Sequence, residues 1–277
     1  MKRSLSLVCL VVCCFLTFSA SAFDAIVAFG DSLTDTGNVP SEPILHYQGR
    51  WSNGPLWIEY LSARLGFPYN PSNNFAHSGG TTGGALGETG KYVPAGDVSN
   101  TLFVVWAGGN DFLQQYQTLW FNEVGWGQMT TASVNNLSNA VVTLQAKGAR
   151  SILVPNTVDL TTIPLLNRLP GFLRTYLQSK VKMFNNKLSK SLTALRATYP
   201  NVTIYKTDIY IGEKAILKNY KADGFKKKDI DALTDFKLLD KSFDGPGAKY
   251  VFWDPIHPTT KSHSYIADWF YTAIGSP

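Results

Sequence analysis

The 277-residue sequence predicts an α/β fold with a parallel sheet covered on both faces. Short runs of β-branched and aromatic apolar residues alternate with longer segments of helical period, the signature of strands linked by crossover helices. The polar, glycine-rich clusters fall at the ends of those runs, where open sheets of this kind gather functional residues.

The chain opens with Lys2 and Arg3, an apolar run from about Leu5 to Phe18, and Ala20-Ser21-Ala22. The run is too short to span a bilayer, and the small-x-small ending is what a signal peptidase cuts. A cleavable signal peptide over residues 1–22 is therefore expected, with one domain over 23–277 and a secreted or periplasmic destination. Cys9, Cys13 and Cys14, all the cysteines of the chain, lie in this leader. No disulfide is expected in the remainder, whose stability must come from its core.

Ala25-Ile26-Val27-Ala28-Phe29 reads as the first buried strand, ending in a tight turn at Gly30-Asp31-Ser32, with Ser32 on the first turn of a helix. Further strands are expected at residues 102–106, 151–154 and 202–205, and helices at about 133–147 and 172–198. A last helical pattern carries Ile266, Ala267, Trp269, Phe270 and Ile274. Residues 206–249 are the least regular stretch, rich in Lys and Asp, and read as a solvated connection or a flap near the site. Within it, Lys226-Lys227-Lys228 reads as a solvated helix face. Without Lys2 and Arg3 the chain carries 23 basic and 20 acidic residues. That balance is too weak to argue for nucleic acid as a partner.

A serine hydroxyl attacks only when a base takes its proton and donors hold the oxyanion that forms. Ser32 offers the hydroxyl. Asp254-Pro255-Ile256-His257-Pro258-Thr259 offers the base, since a carboxylate three residues before a histidine can reach back to the ring Nδ1–H and leave Nε2 for the nucleophile. The stretch Asn74 to Gly84 supplies unhindered backbone N–H groups, and Asn110 in Gly108-Gly109-Asn110-Asp111 supplies a side-chain amide. Each element alone has a bland reading as cap, turn or surface histidine. Their joint appearance in this order changes the odds. The scattered His46, His77, His257 and His263 form no close-spaced zinc pattern.

Together these blocks resemble those of the GDSL lipases/esterases of the SGNH hydrolase superfamily. Residues Phe29 to Asn38 are similar to the nucleophile block, with Ser32 the serine. Asn74 to Thr82 is similar to the second block, with Gly79 as oxyanion donor and Gly80 the neighbour to which the match could slip. Gly108 to Asp111 resembles the third, with Asn110 completing an oxyanion hole of Ser32, Gly79 and Asn110. Asp254 and His257 complete the catalytic set. The resemblance implies a flavodoxin-like, three-layer α/β/α sandwich, a catalytic water, and no metal or organic cofactor. It also assigns Asp31, Asp35 and Asp111 to loop geometry. Residues Gly49 to Tyr60 resemble a segment of the longer secreted lipase-like members, where Trp51 stands in place of an expected Phe. His77 is expected as a packed or solvent-facing ring rather than a second base. The implied activity is hydrolysis of acyl esters, with lysophospholipase, phospholipase A or lipase chemistry favoured. Carbohydrate acetylesterase, acyltransferase to an alcohol, and a non-catalytic binding protein are the alternatives. The partners implied are a lipid or other acyl-ester substrate and a transient membrane-surface contact.

Overall fold

The computed structural model describes residues 23–40, 42 and 44–275; the expected signal peptide lies outside these. The chain runs β1 (Ala25–Gly30), α1 (Trp57–Arg64), α2 (Thr82–Lys91), β2 (Thr101–Trp106), α3 (Gly109–Gln115), α4 (Glu123–Ala146), β3 (Ser151–Pro155), α5 (Gly171–Thr198), β4 (Thr203–Thr207), α6 (Ile209–Asn219), β5 (Lys227–Asp231), β6 (Tyr250–Phe252) and α7 (Thr260–Ala273). The four expected strands and the long helices are present.

β1 to β4 form one parallel sheet in the order β1-β2-β3-β4. Residues Asn74 to His77 run along the outer edge of β1: Asn74 bridges Ala28 in parallel, and the N–H groups of Phe75 and His77 donate to the carbonyls of Ala28 and Gly30. Counting that short edge segment, the spatial order becomes second-first-third-fourth-fifth, which is the flavodoxin-like winding. The order reverses between β1 and β2, so a crevice opens at their carboxyl ends.

Alternate residues of each strand feed different layers. Ile26, Ala28, Leu102, Val104 and Leu153 pack with α1 and α7. Val27, Phe29, Phe103, Val105, Ile152 and Val154 face α2, α4 and α5. With both faces covered, a strand must be apolar at every position, and β2 is buried along its whole length. Trp57, fully buried, packs edge-on against Trp106 and Phe270 and so joins α1, sheet and α7.

Two local expectations are corrected. Ser32 does not open a helix. The Thr34 and Asp35 N–H groups donate to the Asp31 carbonyl, one turn forms, and the chain then leaves it. The fully buried Asp35 carboxylate stops it by accepting from the N–H groups of Gly37, Asn38 and Val39, and it also takes the Ser78 N–H and hydroxyl. Lys226-Lys227-Lys228 is not a helix face either. The Lys226 N–H donates to the Lys249 carbonyl, and β5 pairs parallel with β6 in a two-stranded sheet. Within 206–249 the chain therefore holds a helix and a strand, joined to β6 through a small core of Ala232, Tyr250 and Trp253. Among the described residues no helix is long and apolar enough to cross a membrane.

Because Asp35 alone satisfies five donors around the nucleophile turn, Asp35→Ala is expected to lower the unfolding free energy by roughly 3–5 kcal/mol, read by urea denaturation.

Candidate active site

Ser32 stands immediately past β1, and the structure brings it to His257 across 225 residues of sequence: Ser32 Oγ lies 2.7 Å from His257 Nε2. The other ring nitrogen, Nδ1, lies 2.7 Å from Asp254 Oδ2. Ser32, Asp254 and His257 are all buried. With the Nδ1 proton donated to the carboxylate, Nε2 is left as the acceptor of the Ser32 hydroxyl.

The loop after β6 fixes this spacing. The Trp253 N–H donates to the His257 carbonyl at 2.8 Å, and Phe252 bridges Pro258 in antiparallel fashion, so the intervening residues are pinched into a tight loop. Asp254 Oδ1 accepts the N–H groups of Ile256 (2.8 Å) and His257 (2.7 Å). Burial pushes the Asp254 carboxyl up, but the His257 charge, the side-chain bonds from His257 and His46 and the His257 N–H together outweigh it. The group is held well below the usual carboxylate range.

The expected oxyanion donors are less uniform. Among the described residues the Ser32 and Gly79 N–H groups make no hydrogen bond, whereas the Gly80 N–H is spent on the His77 carbonyl at 2.8 Å. Gly79 adopts a φ of +78°, a left-handed conformation that favours glycine. Gly80 is required for space, since a Cβ there would meet the His77 and Gly30 carbonyl oxygens at 2.8 and 2.9 Å. The Asn110 amide donates to the Gly80 carbonyl at 3.0 Å, which joins the two blocks and leaves its second N–H for other use. Asn110 and Ser32 line one cavity; Gly79 lies in the adjoining turn, outside the cavity wall. Asp111 anchors the assembly from below by accepting from the Thr82 N–H and the Thr82 and Ser133 hydroxyls. His77 is exposed, one of the two placements expected for its ring.

The cavity extends from Ser32, Asn110 and His257 between the sheet end, α6 and α7. Its wall is mostly apolar, with Leu113, Val158, Leu160, Ile163, Ile216, Val251 and Trp269. Two carboxyl groups also reach it. Burial, against the pull of the Leu33 N–H and His257, raises Asp31 to about 6. Burial likewise raises Glu213 to about 8, although the Thr162 hydroxyl and the Asp159 N–H donate to it, so at neutral pH Glu213 is protonated. Sequence reasoning did not find Glu213, which stands among Lys and Asp residues of the same stretch. It also missed His46, which contacts Asp254, and the place of Trp51, whose ring packs 5.1 Å from that of His257. Among the described residues no group of three or more His, Cys, Asp or Glu side chains is placed to hold a metal ion.

This sheet, with a hydroxyl, an imidazole and a carboxylate gathered at its carboxyl end, defines the class of SGNH-type ester hydrolases. The model of the GDSL-like lipase/acylhydrolase family matches residues 26–270, and the chain belongs to that family. Similar proteins include a GDSL esterase/lipase of Arabidopsis thaliana, 27% identical over 91% of this chain and 89% of the relative. A phosphatidylcholine-sterol acyltransferase of Aeromonas hydrophila is 26% identical over 97% and 96% of the two chains. The thermolabile hemolysin of Vibrio parahaemolyticus is 24% identical over 88% of this chain and 62% of that protein. Among solved structures, an acetylxylan esterase of Geobacillus stearothermophilus shares the fold with a TM-score of 0.55 at 15% identity, over 91% of this chain and 94% of that one.

Asp31 gives a test of the site's electrostatics. With its folded pKa raised to about 6, the native state holds a proton that the unfolded chain has lost between about pH 4 and 6, so stability falls as pH rises through that window. Asp31→Asn is expected to be more stable than the parent by up to about 3 kcal/mol at pH 7 and indistinguishable from it below about pH 4, in denaturation series at each pH.

Proposed function

We propose that the chain is an exported serine ester hydrolase that cleaves acyl esters of lipids through an acyl-enzyme. The observation that carries the reading is the Ser32 Oγ to His257 Nε2 hydrogen bond, 2.7 Å long, at the mouth of an apolar cavity. In this mechanism Ser32 attacks the ester carbonyl while His257 Nε2 takes its proton, and Asp254 holds the imidazolium by Nδ1. The Ser32 and Gly79 N–H groups and the free N–H of the Asn110 amide receive the oxyanion. That the Gly79 N–H is unspent and the Gly80 N–H is not supports Gly79 as the donor. Collapse expels the alcohol with the proton from His257, and water attacks the acyl-Ser32 ester by the same route to release the acid.

The cavity supports a long acyl chain over an acetyl group. Burying methylenes against Leu113, Leu160, Ile163 and Ile216 gains about 0.8 kcal/mol each. A neutral Glu213 sets no charge against the chain. Lysophospholipid is the substrate class this favours, with deacetylation of polysaccharide as the alternative the experiment must separate. Interception of the acyl-enzyme by a sterol instead of water is suggested by the acyltransferase relative and requires no further residue. Export rests on the leader, residues 1–22, whose removal would leave Phe23 as the first residue of the working chain.

On lysophosphatidylcholine, a diacyl phospholipid, acetylated xylan and a soluble nitrophenyl ester, the protein is expected to release fatty acid from the lysophospholipid. Ser32→Ala should abolish this, and Asn110→Ala should lower kcat by about 10²–10³-fold. Acetate from xylan in place of fatty acid would move the substrate class, and activity surviving Ser32→Ala would overturn the mechanism.

The distribution of exposed apolar side chains supports contact with a lipid surface. Of the large hydrophobic residues exposed among those described, Val39, Ile44, Leu45, Phe121, Val124, Leu165, Phe172, Ile211, Phe236 and Leu239 fall in turns or first helical turns associated with the carboxyl ends of strands. Only Val93, after α2, lies toward the amino ends. Large exposed apolar patches mark interaction surfaces, and we take these residues, which follow the carboxyl ends of strands along the chain, as the contact face. Replacing Phe236 and Leu239 by Ser is expected to slow hydrolysis of vesicle-borne lipid several-fold while leaving the soluble nitrophenyl ester unaffected, with vesicle sedimentation as the binding readout.

A further inference from the structure

Asp254 carries a second imidazole. His46, from the loop after β1, places Nε2 3.1 Å from Asp254 Oδ2, the oxygen that also holds His257 Nδ1 at 2.7 Å. The His46 side chain is 6% exposed and that of Asp254 7%. His46 Nδ1 has no partner among the described residues, so the tautomer that fits both ring atoms carries its proton on Nε2 and leaves Nδ1 as a bare lone pair. The carboxylate then accepts four donors, the Ile256 and His257 N–H groups on Oδ1 and the two imidazoles on Oδ2.

Trp51 closes the arrangement from the other side. Its ring centroid lies 4.8 Å from that of His46 and 5.1 Å from that of His257. One indole thus touches both imidazoles that share one carboxylate oxygen. The loop that bears His46 and Trp51 is tied directly to the Asp254–His257 loop. The Trp253 indole N–H donates to the Leu45 carbonyl at 2.8 Å, and the Ser52 hydroxyl to the Pro258 carbonyl at 3.0 Å.

We propose that His46 is a positioning residue for the Ser32–His257–Asp254 array, a role that rests on the hydrolase mechanism above. It has no contact with the reacting atoms. By occupying the second acceptor site of Oδ2, it adds a fourth bond to a carboxylate whose Oδ1 is held by two backbone N–H groups, and narrows the positions open to Oδ2. The His257 Nδ1–H therefore meets an oxygen in one place, and Nε2 stays aimed at Ser32 as the ring gains and loses its proton. Without His46 a buried carboxylate oxygen loses a donor, and the His257 Nδ1–H alone holds Oδ2.

The test compares His46→Leu with His46→Gln, whose side-chain amide can return a donor to Oδ2. His46→Leu is expected to lower kcat on the substrate identified for the parent by on the order of 10- to 100-fold, the scale seen when a partner that orients a working side chain is lost, with KM within about twofold. His46→Gln should recover most of kcat. The His257 Nδ1 proton resonance of the folded protein, read by NMR, should shift in the Leu variant and return toward the parent position in the Gln variant. Parental kcat in His46→Leu would overturn the proposal. So would equal losses in the two variants with an unmoved Nδ1 resonance, the pattern of a merely structural residue. Ser32→Ala, run alongside, separates the two levels: if it is inactive while His46→Leu is unimpaired, only the role of His46 fails.

Discussion

A parallel sheet covered on both faces can offer its backbone to a ligand only at its strand ends, and the arrangement of this molecule follows from that constraint. Alternate side chains of β1, β2 and β3 are claimed by helices on opposite faces, so nothing along the strands is free for chemistry. The crossover helices return the chain antiparallel to the sheet, which brings every strand's carboxyl end to one side. Ser32 follows β1, Asn110 follows β2, and the winding reverses between those two strands. The cavity opens there because the helices that cover the neighbouring strands diverge to opposite faces.

Placing polar groups in that crevice creates a second problem, because the turns bury N–H groups away from water. A few carboxylates answer it. Asp35 gathers the backbone of the nucleophile turn together with Ser78, Asp111 gathers α2 and α4, and Asp254 gathers its own loop. Asn74 does similar work at the sheet edge, its amide reaching the Thr34 carbonyl at 2.7 Å and its oxygen taking the Ala76 N–H at 3.0 Å. Through these bonds a serine, a histidine and two glycine-rich turns from four parts of the chain keep fixed relations.

What could be read in the sequence divides along the range of the forces involved. The strands were legible because burial on both faces writes a continuous apolar run into five or six neighbouring residues. The Asp254–His257 pair was legible because three residues is the reach of one turn. Ser32, Gly79 and Asn110 needed the family pattern, since no local signal separates them from caps and turns. The edge segment 74–77 makes a single bridge and leaves no apolar run to see. β5 was misread as helix because its pairing partner, β6, lies some twenty residues on, and because the lysines that looked solvated sit in an extended stretch of alternating exposure. His46 left no trace, as its contact with Asp254 spans 208 residues and depends on a loop whose course only tertiary bonds decide.

Three buried carboxyl groups stand near the site, Asp31 and Glu213 on the cavity wall and Asp254 against His257 Nδ1, and their pKa values move in different directions. Asp31 and Glu213 have few donors relative to their burial, so loss of water decides, and both are pushed up. Asp254 is also buried, yet it faces His257 and accepts four hydrogen bonds, and it is pushed down. Burial alone would push all three up; at Asp254 the His257 charge, with the hydrogen bonds from both imidazoles and the His257 N–H, reverses the direction. In the proposed mechanism the Asp254 charge sits against the imidazole, where a positive ring must be held as Ser32 attacks, while Glu213 on the cavity wall is protonated at neutral pH. On the proposed mechanism, a fold that buried Asp254 without the His257 N–H, the Ile256 N–H and the two imidazoles would set the histidine beside a carboxyl pushed up by burial, and Ser32 would have a weaker base.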